Sequence, residues 1–404
     1  MERIVLKFGG TSLGNTEKIL SVARIIQQKH KSSIEIIVVV SAMSGVTNDL
    51  VEQSKKISSD FEKAELDALL SSGEQASSAL LAAAIVKLGI KSRSWLSWQI
   101  PILTEGNFGS SRILHIETKK INSFIKSGGI PIIPGFQGIS KDFRLTTLER
   151  GGSDASAVAI AKFFQADHCE IFTDVDGVYT TDPNINTKAK KIDKISYEEM
   201  LEMSSLGAKV MQPNSIQTAM MYDIPIHVRS TFSNNEGTQI VSDEKIDYSK
   251  IVTGVTYSKT DAKITLLAVR DRPGVAAGIF KPISESNINV DMVVQNISPN
   301  NKQTDITFTI KRDNLSEAIK LIESNKKNIN YQKLTFDDKV SKVSIVGAGM
   351  ISSPGVTFRM FSALAKQEIN IKVISTSEIK ISVLIDEAHV QKAVKALHTE
   401  FNLD

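Results

Sequence analysis

LKFGGTSLGN, residues 6–15, follows a short apolar run at 4–6 and nearly spells a phosphate-binding P-loop. Gly9 and Gly14 have four residues between them, but Asn15 stands where the P-loop lysine belongs. The nearest lysine, Lys7, precedes the glycines at the end of the apolar run. Two glycines after a strand let backbone N–H groups approach an anion, and a following helix N-terminus favours negative charge. Lys7 would add a point charge there. The same residues also fit an ordinary strand–turn–helix corner with an incidental lysine. A damaged P-loop, a plain corner and a different phosphate grip all remain open from these ten residues alone.

The surrounding chain narrows the choice. A length of 404 residues exceeds one hydrophobic core and predicts two or three domains. Apolar, β-rich runs at 4–6, 34–40, 130–133 and 170–173 alternate with helical patterns at 16–30, 66–88 and 154–164. Continuous apolar strands alternating with helices predict an α/β fold, a mostly parallel sheet sandwiched by helices. Ligands bind such sheets at the carboxyl ends of the strands. The segments KFGGTS, SAMSGVT, GFQG, ERGGSD and TDVDGVYTTDP are predicted to gather there.

Composition excludes several classes. Hydrophobic residues at 41% and charged residues at 23% fit a soluble globular chain. A net charge of +3, with no basic run interleaved with aromatics, argues against a nucleic-acid surface. The single cysteine, Cys169, rules out an internal disulfide and suits a reducing cytoplasm. The N-terminus lacks the order of a signal peptide, and no apolar stretch is expected to approach ~18 residues, so no membrane partner is predicted. The six histidines show no metal-ligand spacing, and no protein metal site is predicted.

After the polar, turn-rich segment 231–240, and from about residue 250, a repeat emerges. Pro273-Gly274-Val275, Phe280, Ile283 and Ile288-Asn289-Val290 recur 81 positions later as Pro354-Gly355-Val356, Phe361, Leu364 and Ile369-Asn370-Ile371. DITFTI at 305–310 likewise parallels KISVLI at 380–385. Each unit reads as a ferredoxin-like βαββαβ pattern. The second ends at Asp404 without a sixth strand, which the strand-like stretch 251–258 would supply.

Each remaining motif has a structural and a functional reading. Ser71 followed by Glu74 fits a capping box as well as a ligand-binding acid. In ERGGSD, Arg150 offers a fork for a carboxylate or phosphate, while Ser153 and Asp154 also suit helix capping. Asp174, Asp176 and Asp182 resemble a calcium loop, but Ile185 falls where the bidentate glutamate belongs. VGAGMISSPG places Ser352 where a dinucleotide fingerprint needs its third glycine, and the repeat explains the segment better. There is no nucleophile elbow, and the eukaryotic protein-kinase motif set is absent.

Taken in order over essentially the whole chain, KFGGTS, VVVSAMSGVTN, SSGE, GFQG, RGGSD, TDVDGVYTTDP, LGAKV, HVRSTFSNNEGT and the two PG-started units resemble the aspartate kinases of the amino acid kinase superfamily. The resemblance implies an amino acid kinase fold over 1–245 and two ACT domains, over 259–337 and 338–404, the second completed by 251–258. It implies a phosphotransferase with a carboxyl acceptor, converting L-aspartate to 4-phospho-L-aspartate with ATP and phosphate-held magnesium. That reaction opens the route to lysine, threonine, methionine and, in many bacteria, diaminopimelate. Lys7 and Asp154 would be catalytic. Ser41, Thr47, Glu74, Arg150, Gly151 and Ser153 would hold the substrate. Lys7, Phe8, Gly9, Gly10, Thr173, Asp174, Tyr179, Asp182 and Lys209 would hold ATP.

The ACT units imply an amino-acid effector and a homo-oligomer, dimeric or tetrameric. Lysine would sit on the first unit, at Asp271, Gly274, Val275, Ala276, Asn289, Val290, Asp291 and Gln295; the second unit has Lys372 where the first has Asp291. The chain departs from the family at Glu149, at Asn184 and at Gln212-Pro213-Asn214. Two rival readings are a glutamate-type amino acid kinase and a non-catalytic amino-acid sensor. The paired ACT units weigh against the first, and the full kinase motif set against the second.

Overall fold

A computed structural model describes residues 1–31, 33–149, 151–206, 210–246, 250–297 and 303–404. The first compact unit holds most of the chain before residue 247. Its strands are β1 Glu2–Phe8, β2 Ile34–Val40, β3 Ser92–Ser94, β4 Ile102–Thr104, β5 Ile113–Ile116, β6 Ile130–Pro134, β7 Gln137–Ile139, β8 Leu145–Thr147, β9 His168–Thr173, β10 Lys194–Ser196, β11 Ile226–Ser230 and β12 Thr238–Val241. The helices are α1 Thr16–Lys29, α2 Val46–Ile57, α3 Lys63–Lys87, α4 Lys119–Lys126, α5 Gly152–Phe163, α6 Tyr197–Ser205 and α7 Pro213–Tyr222.

Eight strands form one sheet in the order β10-β12-β11-β9-β1-β2-β6-β3, parallel except between β11 and β12. β1 lies between β9 and β2, and Lys7 faces Ile171 on one side and Val39 on the other. Both flanks being filled explains why 4–8 read as one buried apolar run. Leu6 and Phe8 pack in a core with Val22 and Ile26 of α1 and with Leu81 and Ile85 of α3. A second, small sheet runs β5-β4-β7-β8 and leads the chain from Thr147 into ERGGSD.

Two sequence readings need correction. The stretch of α3 at Lys63–Lys87 has an 18-residue window of mean hydropathy 1.2, long and apolar enough by composition to cross a membrane. It is the only such helix among the described residues, and 56% of that window is buried inside the protein, as a core helix would be. Ser71 and Glu74 do not open this helix. Glu62 does, its carboxylate accepting from the Glu65 amide at 2.8 Å, while Ser71 lies mid-helix and donates to the Ala68 carbonyl at 2.9 Å.

The second unit contains β13 Gly254–Ser258, β14 Asp261–Arg270, β15 Val290–Ile297, β16 Gln303–Lys311, β17 Lys333–Asp337, β18 Val340–Val346, β19 Val373–Thr376 and β20 Lys380–Asp386. Its helices are α8 Val275–Glu285, α9 Leu315–Ser324, α10 Lys326–Ile329, α11 Val356–Lys366 and α12 Val390–Glu400. Two four-stranded sheets result, β15-β16-β14-β17 and β13-β18-β20-β19. β13 lies antiparallel beside β18 just as β17 lies beside β14, so a strand from ahead of both repeats takes the sixth place in the second. Met292 from the first repeat packs with Val340, Val373 and Leu384 from the second.

Candidate active site

At the carboxyl end of β1 the backbone leaves the sheet as Phe8-Gly9-Gly10. Phe8 is buried and stacks on Phe172 of β9, ring centroids 4.7 Å apart. The Gly9 amide donates to the Phe172 carbonyl at 3.1 Å, and the Ser41 amide beyond β2 donates to the Phe8 carbonyl at 3.1 Å. Three parallel strands are thus tied together just where they end. A Cβ on Gly10 would fall 2.9 Å from the Ala42 carbonyl oxygen, so the KFGGTS and SAMSGVT corners approach closely only because that residue is glycine.

Gly10–Leu13 make a single 3-10 turn rather than the start of a long helix. Asn15 caps α1, its side-chain oxygen accepting from the Lys18 amide at 2.9 Å. The residue replacing a P-loop lysine therefore has a capping task of its own. Lys7 reaches from the strand to the carboxylate of Asp154. Both are 8% exposed.

Asp154 lies in the first turn of α5, whose cap is Gly151 in the left-handed conformation at φ 81°. A side chain there would meet Gln212 Cγ at 2.0 Å, so both backbone and space require glycine. The turn brings Asp154, in the first turn of α5, to the Lys7 ammonium. Arg150 and Lys209 lie outside the described residues.

Glu74 approaches from α3 and is 4% exposed. Burial pushes its carboxyl up to about 7, while backbone hydrogen bonds from Ala42 and from its own amide pull the other way. One carboxyl oxygen, Oε2, is buried with no hydrogen-bond partner. A buried acid with a spare acceptor is suited to a cationic ligand group. Ser41 and Thr47 are half-buried on the adjoining corner, Thr47 in the first turn of α2. Thr173 ends β9 and its hydroxyl donates to exposed Asp174 at 3.1 Å.

Cys169 lies buried on β9, and burial pushes its thiol far up, so it offers no nucleophile. No group of three His, Cys, Asp or Glu side chains that would hold a metal occurs among the described residues.

Other expected residues fall in the second unit. Asp182 spends its carboxylate locally: Oδ1 accepts from the amide and side chain of Asn184 at 2.9 and 3.0 Å, and Oδ2 from the Tyr257 hydroxyl at 2.9 Å. It shapes a turn. Gly274 starts α8 at φ 87°, with Val275 buried and Ala276 half-buried behind it. Asp271 is half-buried, whereas Asn289 and Gln295 are exposed on either side of Val290 and Asp291. Asp291 is paired with Lys342 of β18.

Two residues escaped the sequence reading, and a third was read there only as a departure from the family. Asp67 is buried in α3 and accepts from the Thr147 amide at 2.7 Å, the Thr147 hydroxyl at 2.6 Å and the Gly109 amide at 3.0 Å. It pins the strand that leads into ERGGSD. Buried Gln137 of GFQG donates to the Ser71 carbonyl at 3.0 Å and accepts from Gln75 at 3.1 Å, fixing the Glu74 helix. Neither residue carries a local signature, since these partners lie more than forty positions away. The third, Asn214, donates to Glu149, so two of the family departures touch. With Gln212 and Pro213 they line a cavity of about 370 Å³.

The chain matches the amino acid kinase family over residues 2–230 and the ACT domain family over 267–325 and 343–401. An aspartate kinase of Pseudomonas putida is 45% identical over 100% of this chain and 98% of that protein. An aspartokinase of Mycolicibacterium smegmatis is 43% identical over 100% and 97%. The crystal structure of E. coli aspartokinase III with aspartate and ADP has the same fold, with a TM-score of 0.82 over 99% of this chain and 100% of that one, at 22% identity. With the kinase model covering more than half of the chain, two ACT matches behind it and full-length relatives at 43–45% identity, the chain belongs to the amino acid kinase family, among the aspartate kinases.

Proposed function

We propose that the protein transfers the γ-phosphoryl group of ATP to the side-chain carboxylate of L-aspartate, releasing ADP and 4-phospho-L-aspartate. The observation that carries this reading is the buried Lys7–Asp154 ion pair at the meeting point of β1 and α5. A carboxylate acceptor is already ionised at neutral pH, with a reference pKa near ~3.9. One carboxylate oxygen forms the new bond to phosphorus as the bond to the ADP oxygen breaks, and no proton need be removed. The task is to align two anions and offset the charge between them. Lys7 meets that need, Gly10 adds a backbone donor while the Gly9 amide stays on the Phe172 carbonyl, and Asp154 holds Lys7 in place.

Glu74, with its spare buried oxygen, takes the substrate ammonium, while Arg150 takes the α-carboxylate, beside Ser41, Thr47, Gly151 and Ser153. Phe8, Thr173, Asp174, Tyr179 and Lys209 are assigned to ATP by the family resemblance. Magnesium keeps waters and phosphate oxygens as its main ligands. It would supply charge neutralisation between the phosphates. Catalytic residues 1–245, ACT residues 259–337 and 338–404, lysine as feedback effector on the first ACT unit, assembly through the ACT units and a cytoplasmic setting complete the reading.

ADP release measured with L-aspartate and with L-glutamate tests it. Turnover on aspartate alone is the expected result. Preference for glutamate would move the protein to another acceptor, and no turnover on either would make it a sensor.

A further inference from the structure

The segment 179–190 continues the TDVDGVYTTDP motif, yet it packs with the C-terminal unit. Several contacts hold it there. The Tyr257 hydroxyl donates to Asp182 Oδ2 at 2.9 Å, and the Val255 amide donates to the Thr180 carbonyl at 2.7 Å. The Thr180 hydroxyl lies 2.8 Å from Nε2 of fully buried His398, whose Nδ1 lies 2.7 Å from Asp404 Oδ1. Lys188 reaches the other Asp404 oxygen at 2.8 Å, and Ile185 packs on the core of the second ACT repeat.

Thr180, His398 and Asp404 have the hydrogen-bond order of a nucleophile triad. Thr180 and His398 are buried, however, and the Thr180 hydroxyl also accepts from the Lys190 amide at 3.0 Å. The trio therefore anchors the segment rather than attacking a substrate. Asp182 is equally committed, its two oxygens serving Asn184 and Tyr257. Burial and the neighbouring Asp182 push the Tyr257 phenol up to about 12, so it stays a donor.

We propose that Tyr257 is a positioning residue for the nucleotide: through Asp182 it fixes the 179–190 turn, and with it Tyr179 and Asn184. The proposal rests on the assignment of that motif to ATP. A loop held in one shape beforehand loses less entropy when it closes on a ligand, so its anchors set affinity without touching the ligand. ATP is therefore the substrate whose binding should respond to Tyr257.

Tyr257→Phe keeps the ring and removes the donor. Calorimetric ATP binding and separate KM values for ATP and aspartate, by ADP release, make the test. Losing one hydrogen bond should weaken ATP binding by about fivefold, with kcat and the aspartate KM unchanged. Asp182→Asn should likewise weaken ATP binding, and the double variant should be no worse than either single one. Unaltered ATP binding in Tyr257→Phe, alongside weakened binding in Tyr179→Ala, would overturn the positioning role and leave the nucleotide assignment standing. Unaltered binding in Tyr179→Ala as well would remove that assignment and the proposal with it. A parallel rise in both KM values with a lowered melting temperature would also overturn it, as general loosening.

Discussion

Lys7 and Asp154 stand 147 positions apart in the chain, yet they form a buried ion pair where β1 ends and α5 begins. Everything else in the site is arranged around that pair. Removing one charge of a buried pair strands the other, at about 3–5 kcal/mol of stability. Lys7→Ala should therefore lower the melting temperature as well as the rate. The expected fall in kcat is about 10²–10³, the usual loss for one transition-state donor. Lys7→Met with Asp154→Asn should restore stability but not turnover. Near-normal kcat in either variant would remove Lys7 from the chemistry.

Glu74 gives a pH dependence with a definite sign. Its carboxyl is raised from an ordinary 4.5 to about 7 by burial. Below 4.5 the folded and unfolded chains both carry the proton; as pH rises through about 7, the folded chain must ionise a buried acid that the unfolded chain ionised earlier. The ligand-free protein should thus lose stability between those values, by about 3 kcal/mol at most. Glu74→Gln should flatten that profile in denaturant melts. An ammonium bound to Glu74 favours the ionised form, so aspartate should bind more tightly as pH rises through about 7 and release a proton on binding. Calorimetry in buffers of different ionisation enthalpy detects that proton, and its absence would take Glu74 off the ammonium.

Asp67 predicts a purely structural effect close to the site. Its two oxygens satisfy the Thr147 amide, the Thr147 hydroxyl and the Gly109 amide. Asp67→Ala leaves those buried groups unpaired, which costs about 1–3 kcal/mol each before relaxation. Because Thr147 leads directly to residue 150, the aspartate KM should rise with the instability, and the ATP KM should not. A stable variant with unaltered kinetics would show that the strand before ERGGSD is held by other means.

What the sequence disclosed followed from what is local. The parallel sheet was legible because strands such as 34–40 are buried on both faces and so read as unbroken apolar runs. The ACT repeats were legible because one pattern occurs twice, and the missing sixth strand pointed to 251–258, whose residues from Gly254 pair with β18. Ser71 and Glu74 misled as a cap because three-residue spacing recurs inside helices, and 63–70 already form helix. The structural partner of Asp182 was not legible, because Tyr257, whose hydroxyl donates to it, lies 75 positions on. Such long-range partners carry no local trace.

Asp291 and Lys342 bear on regulation. At the place where the first repeat has Asp291 the second has Lys372, and each already has a partner in the other repeat: Asp291 with Lys342, and Lys372 with Asp337 at 2.6 Å. A lysine effector bound at Asp291 must compete with the ammonium of Lys342, whose side chain is 6% exposed against 50% for Asp291. A pair open to water on one side contributes about 0–1 kcal/mol, so the competition is modest. Asp291→Ala should abolish lysine inhibition and leave uninhibited turnover unchanged, since an effector bound there would shift a balance of arrangements rather than block the active site. Lys342→Met keeps the buried volume and frees the acid, so inhibition should set in at up to about fivefold lower lysine. Lysine inhibition curves for the two variants decide the matter. Unchanged curves in Asp291→Ala would place the effector elsewhere. Weaker inhibition in Lys342→Met would mean that the internal pair supports the inhibited arrangement rather than competing with lysine.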